Sequence, residues 1–325
     1  MSGAFARTSL SIGLAALALV AAPSASARDS YELASASFTP SSLDRELERQ
    51  LAMIASATSG KVGIYAAEID GARQVALNRD HAFPMASTMK IAVAAAYLQG
   101  VDERRLALDS EYPLRIGTGV TGPDGRIVTR PGMSLTAQSL IELMITKSDN
   151  QATDALLQAV GGPAAVNRWL ASAGIMGQRV DRDIATLLRD DLAKNDPSLG
   201  IDKRDSSTPA AMAQLLGVLH RGDVLSAQSR AVLLGAMSRC QTGKTRIPGL
   251  LPVGTLIAHK TGTLFSQTSD VGIIRLPDGR SVALAVFIAG PESHAAHNRQ
   301  IAAIARAVYD NFNSGSYEAS QVARR

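Results

Sequence analysis

In the stretch Ser87-Thr88-Met89-Lys90-Ile91-Ala92-Val93-Ala94-Ala95-Ala96-Tyr97-Leu98, everything after the lysine is apolar. A helix that is apolar on every face is buried among other elements, so this one is predicted to lie at the centre of the fold. A lysine three residues after a serine shares its helix face, one turn on. Burial favours the neutral amine, which can take a proton from the Ser87 hydroxyl. The helix N-terminus brings backbone N–H groups close to the oxygen on which negative charge would develop. Lys90 is the only lysine in the chain with a serine at that spacing. A Ser-x-x-Lys nevertheless arises about once by chance in a chain of this composition, and an N-cap serine with a surface lysine is the plainer reading.

Two further tripeptides change that balance. Ser148-Asp149-Asn150 follows a helical stretch containing Leu140, Leu143 and Met144. Its hydroxyl can relay a proton and the Asn150 amide can bind a carbonyl, although the same residues are good helix terminators. Lys260-Thr261-Gly262, with Thr263 next, falls in a predicted strand. There a lysine offers positive charge to a carboxylate, and glycine opens the backbone edge to a ligand. All three motifs in this order, each at a junction of elements, form a specific signal.

Around them the chain reads in three blocks. Leu43, Leu47, Leu51 and Ile54 recur at helical spacing, then Lys61–Ile69 and Arg73–Asn78 read as a hairpin across Asp70-Gly71. A late block reads as strands at 256–264, 269–275 and 280–289, closed by a helix from His294 to about Asn311. Residues 81–240 read as almost all helical, with Ser134 or Thr136 capping one helix, Pro163 opening another and Thr208-Pro209 a third. The expected fold is α/β plus all-α: an antiparallel five-stranded sheet sandwiched by N- and C-terminal helices, with an inserted helical subdomain. The expected domain spans 41–315, its α/β part about 41–80 and 240–315 and its helical part about 81–239, before a flexible tail at 316–325.

Composition narrows the chemistry. The 325 residues include a single cysteine, Cys240, which excludes intramolecular disulfides, cysteine zinc sites and iron–sulfur clusters. A net charge of +4 with 4% aromatic residues makes a weak nucleic-acid binder. His294 and His297 lack further ligands nearby, so no metal and no cofactor is expected. His259 reads as a strand residue, Cys240 as a small apolar side chain on a helix, and Trp169 as a core anchor. At the start of the chain, Arg7, the apolar run Leu10–Ala22 and Ala25-Ser26-Ala27 read as a signal peptide, 1–27, cut after Ala27. A loose leader at 28–40 follows. The mature protein is then expected to be periplasmic or secreted, a monomer, with no membrane anchor.

With these motifs the chain resembles the class A serine β-lactamases, relatives of the penicillin-binding peptidases, over roughly residues 42–312. Phe83-Pro84-Met85-Ala86, the run Asp205–Ala213 and the run Gly243–Pro252 extend the likeness. The resemblance implies that Ser87 is the acylated nucleophile, Lys90 its activating partner, and Ser148 and Lys260 proton shuttle and carboxylate anchor. It also implies substrate contacts from Asn150, Thr261, Gly262 and Thr263, an oxyanion hole from the Ser87 and Thr263 N–H groups, and an assisting arginine in Arg246. The implied substrate is a small-molecule β-lactam or a peptidoglycan stem.

One position departs from the family. Its Ω-loop glutamate, two residues after an arginine, activates the deacylating water. Here the arginine matches Arg182, with Asp205 as its closing partner, and Ile184 stands where the glutamate would be. No glutamate occurs from 143 to 291. Asp183, Asp190, Asp191 or Asp196 can supply a carboxylate, or simply solvate a loop that is about eight residues longer than usual. Three expectations follow: a β-lactamase, a D-alanyl peptidase-like protein that deacylates slowly, or a sensor that binds without turnover.

Overall fold

The computed structural model describes residues 41–121, 127–193 and 202–322; the expected signal peptide, the leader and Asp196 lie outside them. The first helix, α1 (Ser42–Ala55), starts at a capping box in which Ser41 and Asp44 satisfy each other's backbone N–H groups. Strands β1 (Lys61–Glu68) and β2 (Gln74–Leu77) form the hairpin expected across Asp70-Gly71. The C-terminal block supplies β7 (Ile257–Leu264), β8 (Gln267–Arg275) and β9 (Ser281–Ala289). These five strands form one antiparallel sheet in the order β2-β1-β9-β8-β7.

The sheet is covered on both faces, and the period-2 alternation of β9 shows how. Val282, Leu284, Val286 and Ile288 pack with Leu47 and Leu51 of α1 and with Ile301, Ile304 and Val308 of the terminal helix α9 (His294–Val322). Ala283, Ala285 and Phe287 point to the other face, into the core shared with the helices of the middle block. Arg73 ties the two terminal helices together, reaching Asp44 at 2.6 Å and the Asn311 carbonyl at 3.1 Å.

In the middle block, β3 (Phe83–Pro84) leads into a 3₁₀ turn, Ala86–Met89, and then α2 (Lys90–Asp102), buried from Lys90 through Leu98 as its sequence requires. Strands β4 (Glu111–Thr121) and β5 (Ile127–Thr136) follow, then α3 (Ala137–Thr146), α4 (Asn150–Ala159), α5 (Pro163–Ser172) and α6 (Ile184–Ala193). The block closes with β6 (Ser206–Ser207), α7 (Pro209–Arg221) and α8 (Ala227–Ser238). Thr136 and Thr208 cap α3 and α7, and Trp169 is buried in this core.

Three expectations need correction. The block is not almost all helical, because β4 and β5 pair as a hairpin. Pro113, Gly117, Gly119, Pro131 and Gly132 disfavour helix there, and Gly122-Pro123-Asp124-Gly125 carries the same turn chemistry as Asp70-Gly71. The terminal helix runs past Asn311 to Val322, helped by the Arg306–Asp310 pair and by the absence of any later proline. Cys240 lies beyond the end of α8, in the connection to β7, and is partly exposed.

Ile304 is fully buried against the sheet, whereas Met53 on α1 is 68% exposed. Ile304→Ala should therefore lower the unfolding free energy by about 2–5 kcal/mol in a urea titration. Met53→Ala should change it by less than about 0.5 kcal/mol.

Candidate active site

Ser87 lies in the 3₁₀ turn that delivers the chain into α2, one residue after Ala86, whose φ of 49° is in the left-handed region. A non-glycine residue held there is strained and persists because its surroundings fix it. Part of that constraint comes from β7. A Cβ on Gly262 would approach the Met85 carbonyl to 2.5 Å and the Ala86 Cβ to 3.1 Å. Glycine is thus needed for the close approach of the Lys260-Thr261-Gly262 strand to the serine turn, a reason beyond the expected access for a ligand.

Ser148-Asp149-Asn150 forms the joint between α3 and α4. Ser148 takes a left-handed φ of 59°, and Asp149 caps α4 through the Ala152 N–H at 2.7 Å. Beyond stopping a helix, the joint aims Ser148 and Asn150 at α2. Lys90 Nζ donates to Asn150 Oδ1 and to the Ser148 carbonyl, each at 2.7 Å, and lies 3.2 Å from Ser148 Oγ. Lys260 Nζ donates to the same Oγ at 3.0 Å and to the Thr261 carbonyl at 2.9 Å. One hydroxyl therefore bridges two fully buried lysines.

This geometry sets the electrostatics. Burial, reinforced by the charge of Lys260, brings Lys90 down from the usual lysine range to about 7. Burial brings Lys260 down to about 8. Lys90 is thereby suited to take a proton near neutral pH, and the bridging hydroxyl offers a path for it. Arg246, 7% exposed, donates to the Gly262 and Ser269 carbonyls at 2.9 Å and to Thr263 Oγ1 at 2.7 Å. It thus places a guanidinium behind the exposed end of β7, where Thr263 meets solvent. Among the described residues, no group of His, Cys, Asp and Glu is arranged to hold a metal ion.

The segment after Arg182 is closed as expected. Arg182 Nε donates to Asp205 Oδ2 at 2.6 Å, and Asp205 Oδ1 accepts the Asp181 and Arg182 N–H groups. The candidate acids of this segment are engaged elsewhere: Asp183 accepts from the Thr186 N–H, Asp190 pairs with Arg182, and Asp191 accepts from the Phe265 N–H. Ile184 is 3% exposed.

The carboxylate that sequence reasoning missed is Asp154, one turn beyond Asn150 on α4. It accepts the Ile184 and Ala185 N–H groups at 2.7 and 3.2 Å, pinning the segment to α4. Burial raises Asp154 to about 6, opposed by those bonds and by the charge of Lys90. Its i, i+4 spacing from Asn150 was the available signal.

Comparison with known proteins places this arrangement. The model of the β-lactamase enzyme family matches residues 46–312. The chain belongs to the class A serine β-lactamase family. It is 30% identical to the extended-spectrum β-lactamase PER-1 of Pseudomonas aeruginosa over 283 residues, covering 84% of this chain and 89% of that one. It is similar to the crystal structure of a β-lactamase from Chitinophaga pinensis, with a TM-score of 0.71 and 28% identity, covering 82% of this chain and 100% of the other. The ancestral class A β-lactamase GNCA gives a TM-score of 0.71 and 33% identity, over 81% of this chain and 99% of that one. In this β-lactamase the Ser148 and Lys260 motifs converge on Lys90 of α2, and Ile184 stands two residues after Arg182.

A lysine near 7 has a direct consequence for reactivity. Only the free amine can accept a proton, so if Lys90 is the base for Ser87, reaction with a serine-directed acylating reagent should accelerate as pH rises through about 7 and then level off. Lys90→Arg retains its proton across that range. Its stopped-flow acylation rate should be at least about a hundredfold slower, with no rise near neutrality.

Proposed function

We propose that this enzyme is exported and opens the amide bond of β-lactams through an ester on Ser87. The observation that carries the reading is the Ser148 hydroxyl shared by Lys260 and by Lys90, the latter three residues after Ser87. Lys90 takes the Ser87 proton and the oxygen attacks the lactam carbonyl. The oxyanion is held by the Ser87 and Thr263 N–H groups. As the C–N bond breaks, Ser148 passes a proton to the departing nitrogen. Lys260, Thr261 and Thr263, with Arg246 behind them, hold the substrate carboxylate, while Asn150 binds the side-chain carbonyl and Gly262 keeps β7 close. Neither metal nor cofactor enters this chemistry.

Export rests on the charged, apolar and small-residue order of the first 27 residues. A leader at 28–40 and a catalytic domain from 41 onward, in an α/β part and a helical part, complete the proposed organisation; the tail expected from 316 continues α9 as far as Val322. Within the described residues, no helix is long and apolar enough to cross a membrane. We take the mature enzyme to be a periplasmic or secreted monomer that meets small-molecule lactams or peptidoglycan stems, with no nucleic-acid partner.

A second reading is favoured by Ile184. With an apolar side chain there and Asp183, Asp190 and Asp191 otherwise bonded, the ester forms readily but water attacks it slowly, as in a D-alanyl peptidase-like protein. The non-hydrolytic sensor is the weakest reading, because the Ser148 hydroxyl shared by Lys90 and Lys260 supports proton transfer rather than binding alone.

Intact mass after mixing with a chromogenic lactam separates these readings. An adduct that disappears as product accumulates, and that is absent in Ser87→Ala, is expected of the hydrolase. A lasting adduct supports slow deacylation, and no adduct at all leaves a binder. If deacylation is the slow step, Ile184→Glu should shorten the adduct lifetime by about a hundredfold or more. An unchanged lifetime would remove Ile184 as its cause.

A further inference from the structure

A carboxylate outside the proposed machinery lies behind β7, on β8. Asp270 is fully buried, and both of its oxygens are bonded. His259 Nδ1 lies 2.9 Å from Oδ1 and 3.1 Å from Oδ2, and Oδ2 also accepts the Ile247 N–H at 3.0 Å. An ionised carboxylate only accepts, so Nδ1 carries the proton and donates. The register of the sheet sets this contact. His259 stands opposite Gly272 and Thr261 opposite Asp270, so His259 reaches Asp270 along the diagonal. Gly272 leaves the room for it, because a Cβ there would come within 2.6 Å of the His259 Cβ.

The two residues that Asp270 grips each adjoin a cation in the chain: His259 precedes Lys260, and Ile247 follows Arg246. The neighbouring Ser269 adds to the grip, since its carbonyl accepts from Arg246 Nη1 at 2.9 Å. Asn298 on α9 accepts from Arg246 Nε at 2.8 Å, which leaves Nη2 directed at Thr263 Oγ1. Charge supports the geometry. Burial lowers the proton affinity of Arg246, and the carboxylate of Asp270 opposes that loss. Burial also opposes a charged imidazole, but Asp270, foremost among its neighbours, raises His259 to about 10.

We propose that Asp270 is a positioning residue for the substrate carboxylate, tying β7 through His259 to the Arg246 turn through Ile247 and so aiming Arg246 at Thr263. The proposal rests on the reading that Lys260, Thr261 and Thr263, with Arg246 behind them, hold that carboxylate. Asp270 itself touches no substrate. It acts by fixing the spacing between the strand and the turn that carry the two cations, and a guanidinium displaced from Thr263 binds an anion less well. Its loss is therefore felt by ligands that bring a negative charge to this end of β7 and not by neutral ones.

The test measures equilibrium binding of benzylpenicillin and of its methyl ester by calorimetry, in Ser87→Ala so that binding is not followed by acylation. The free acid should bind at least about tenfold more tightly than the ester. Adding Asp270→Asn should weaken binding of the acid by about tenfold and of the ester by less than about twofold. An acid preference unchanged by Asp270→Asn, or an equal loss for both ligands, overturns the proposal and leaves the carboxylate anchor standing. Equal binding of acid and ester before that substitution, or none of either, removes the anchor reading and the proposal with it. If Asp270→Asn does not fold, His259→Leu takes its place. The acid preference should then fall by about threefold and return in His259→Gln, whose amide can donate to Asp270. An unchanged preference in His259→Leu overturns the proposal.

Discussion

Two buried lysines that share one hydroxyl are costly to keep charged. Lys90 and Lys260 approach the Ser148 Oγ to 3.2 and 3.0 Å with no solvent contact, and the rest of the architecture serves to hold them there. Removing a charge from water is costly, and a like charge nearby adds to the cost, Lys260 for Lys90 and Arg246 for Lys260, so the proton affinity of both amines falls. That conflict has a chemical use: a lysine that gives up its proton near neutral pH is a competent base. The all-apolar run after Lys90 is therefore part of the chemistry as well as of the packing, because those side chains exclude the water that would keep the amine charged.

Holding the lysines requires close approach of three elements from distant parts of the chain. Gly262 lets β7 reach the Met85–Ala86 backbone, Asp149 caps α4 so that Ser148 and Asn150 face α2, and β7 owes its position to the sheet. The double covering of β9 anchors that sheet. Its even-numbered residues bind it to the terminal helices and its odd-numbered residues to the helical core, so the site is fixed from both sides.

Much of this was legible in the sequence, for definable reasons. Motif spacing singled out Ser87, Lys90, Ser148, Asn150 and Lys260 because each sits at a junction with its own local signature, and hydrogen bonds join the last four in the structure. Period-2 and period-3.6 patterns found the five strands and most helices. The β4–β5 hairpin escaped because it lay inside a block dominated by helical periodicity, although its prolines, glycines and turn residues argued against helix. Asp154 escaped for a different reason. A single acid on a helix is ordinary, and its importance comes from bonds to Ile184 and Ala185, 30 and 31 positions away. The buried His259–Asp270 pair escaped because the pairing of β7 with β8, which sets the two together, is invisible to a local pattern.

The segment after Arg182 shows that closure and chemistry are separable. The Arg182–Asp205 pair, with Asp205 also accepting two backbone N–H groups, is an arrangement of charge-assisted bonds that fixes the loop regardless of the side chain at 184. Asp154 then fastens the backbone of Ile184 itself rather than its side chain. A loop anchored through its backbone and its flanking ion pair can exchange a carboxylate for an isoleucine without losing its place. Loss of the glutamate therefore demands no change of fold. On the proposed acyl-Ser87 route it bears on the second step, where water must be activated, and not on the first, which that proposal assigns to Ser87 and the two lysines.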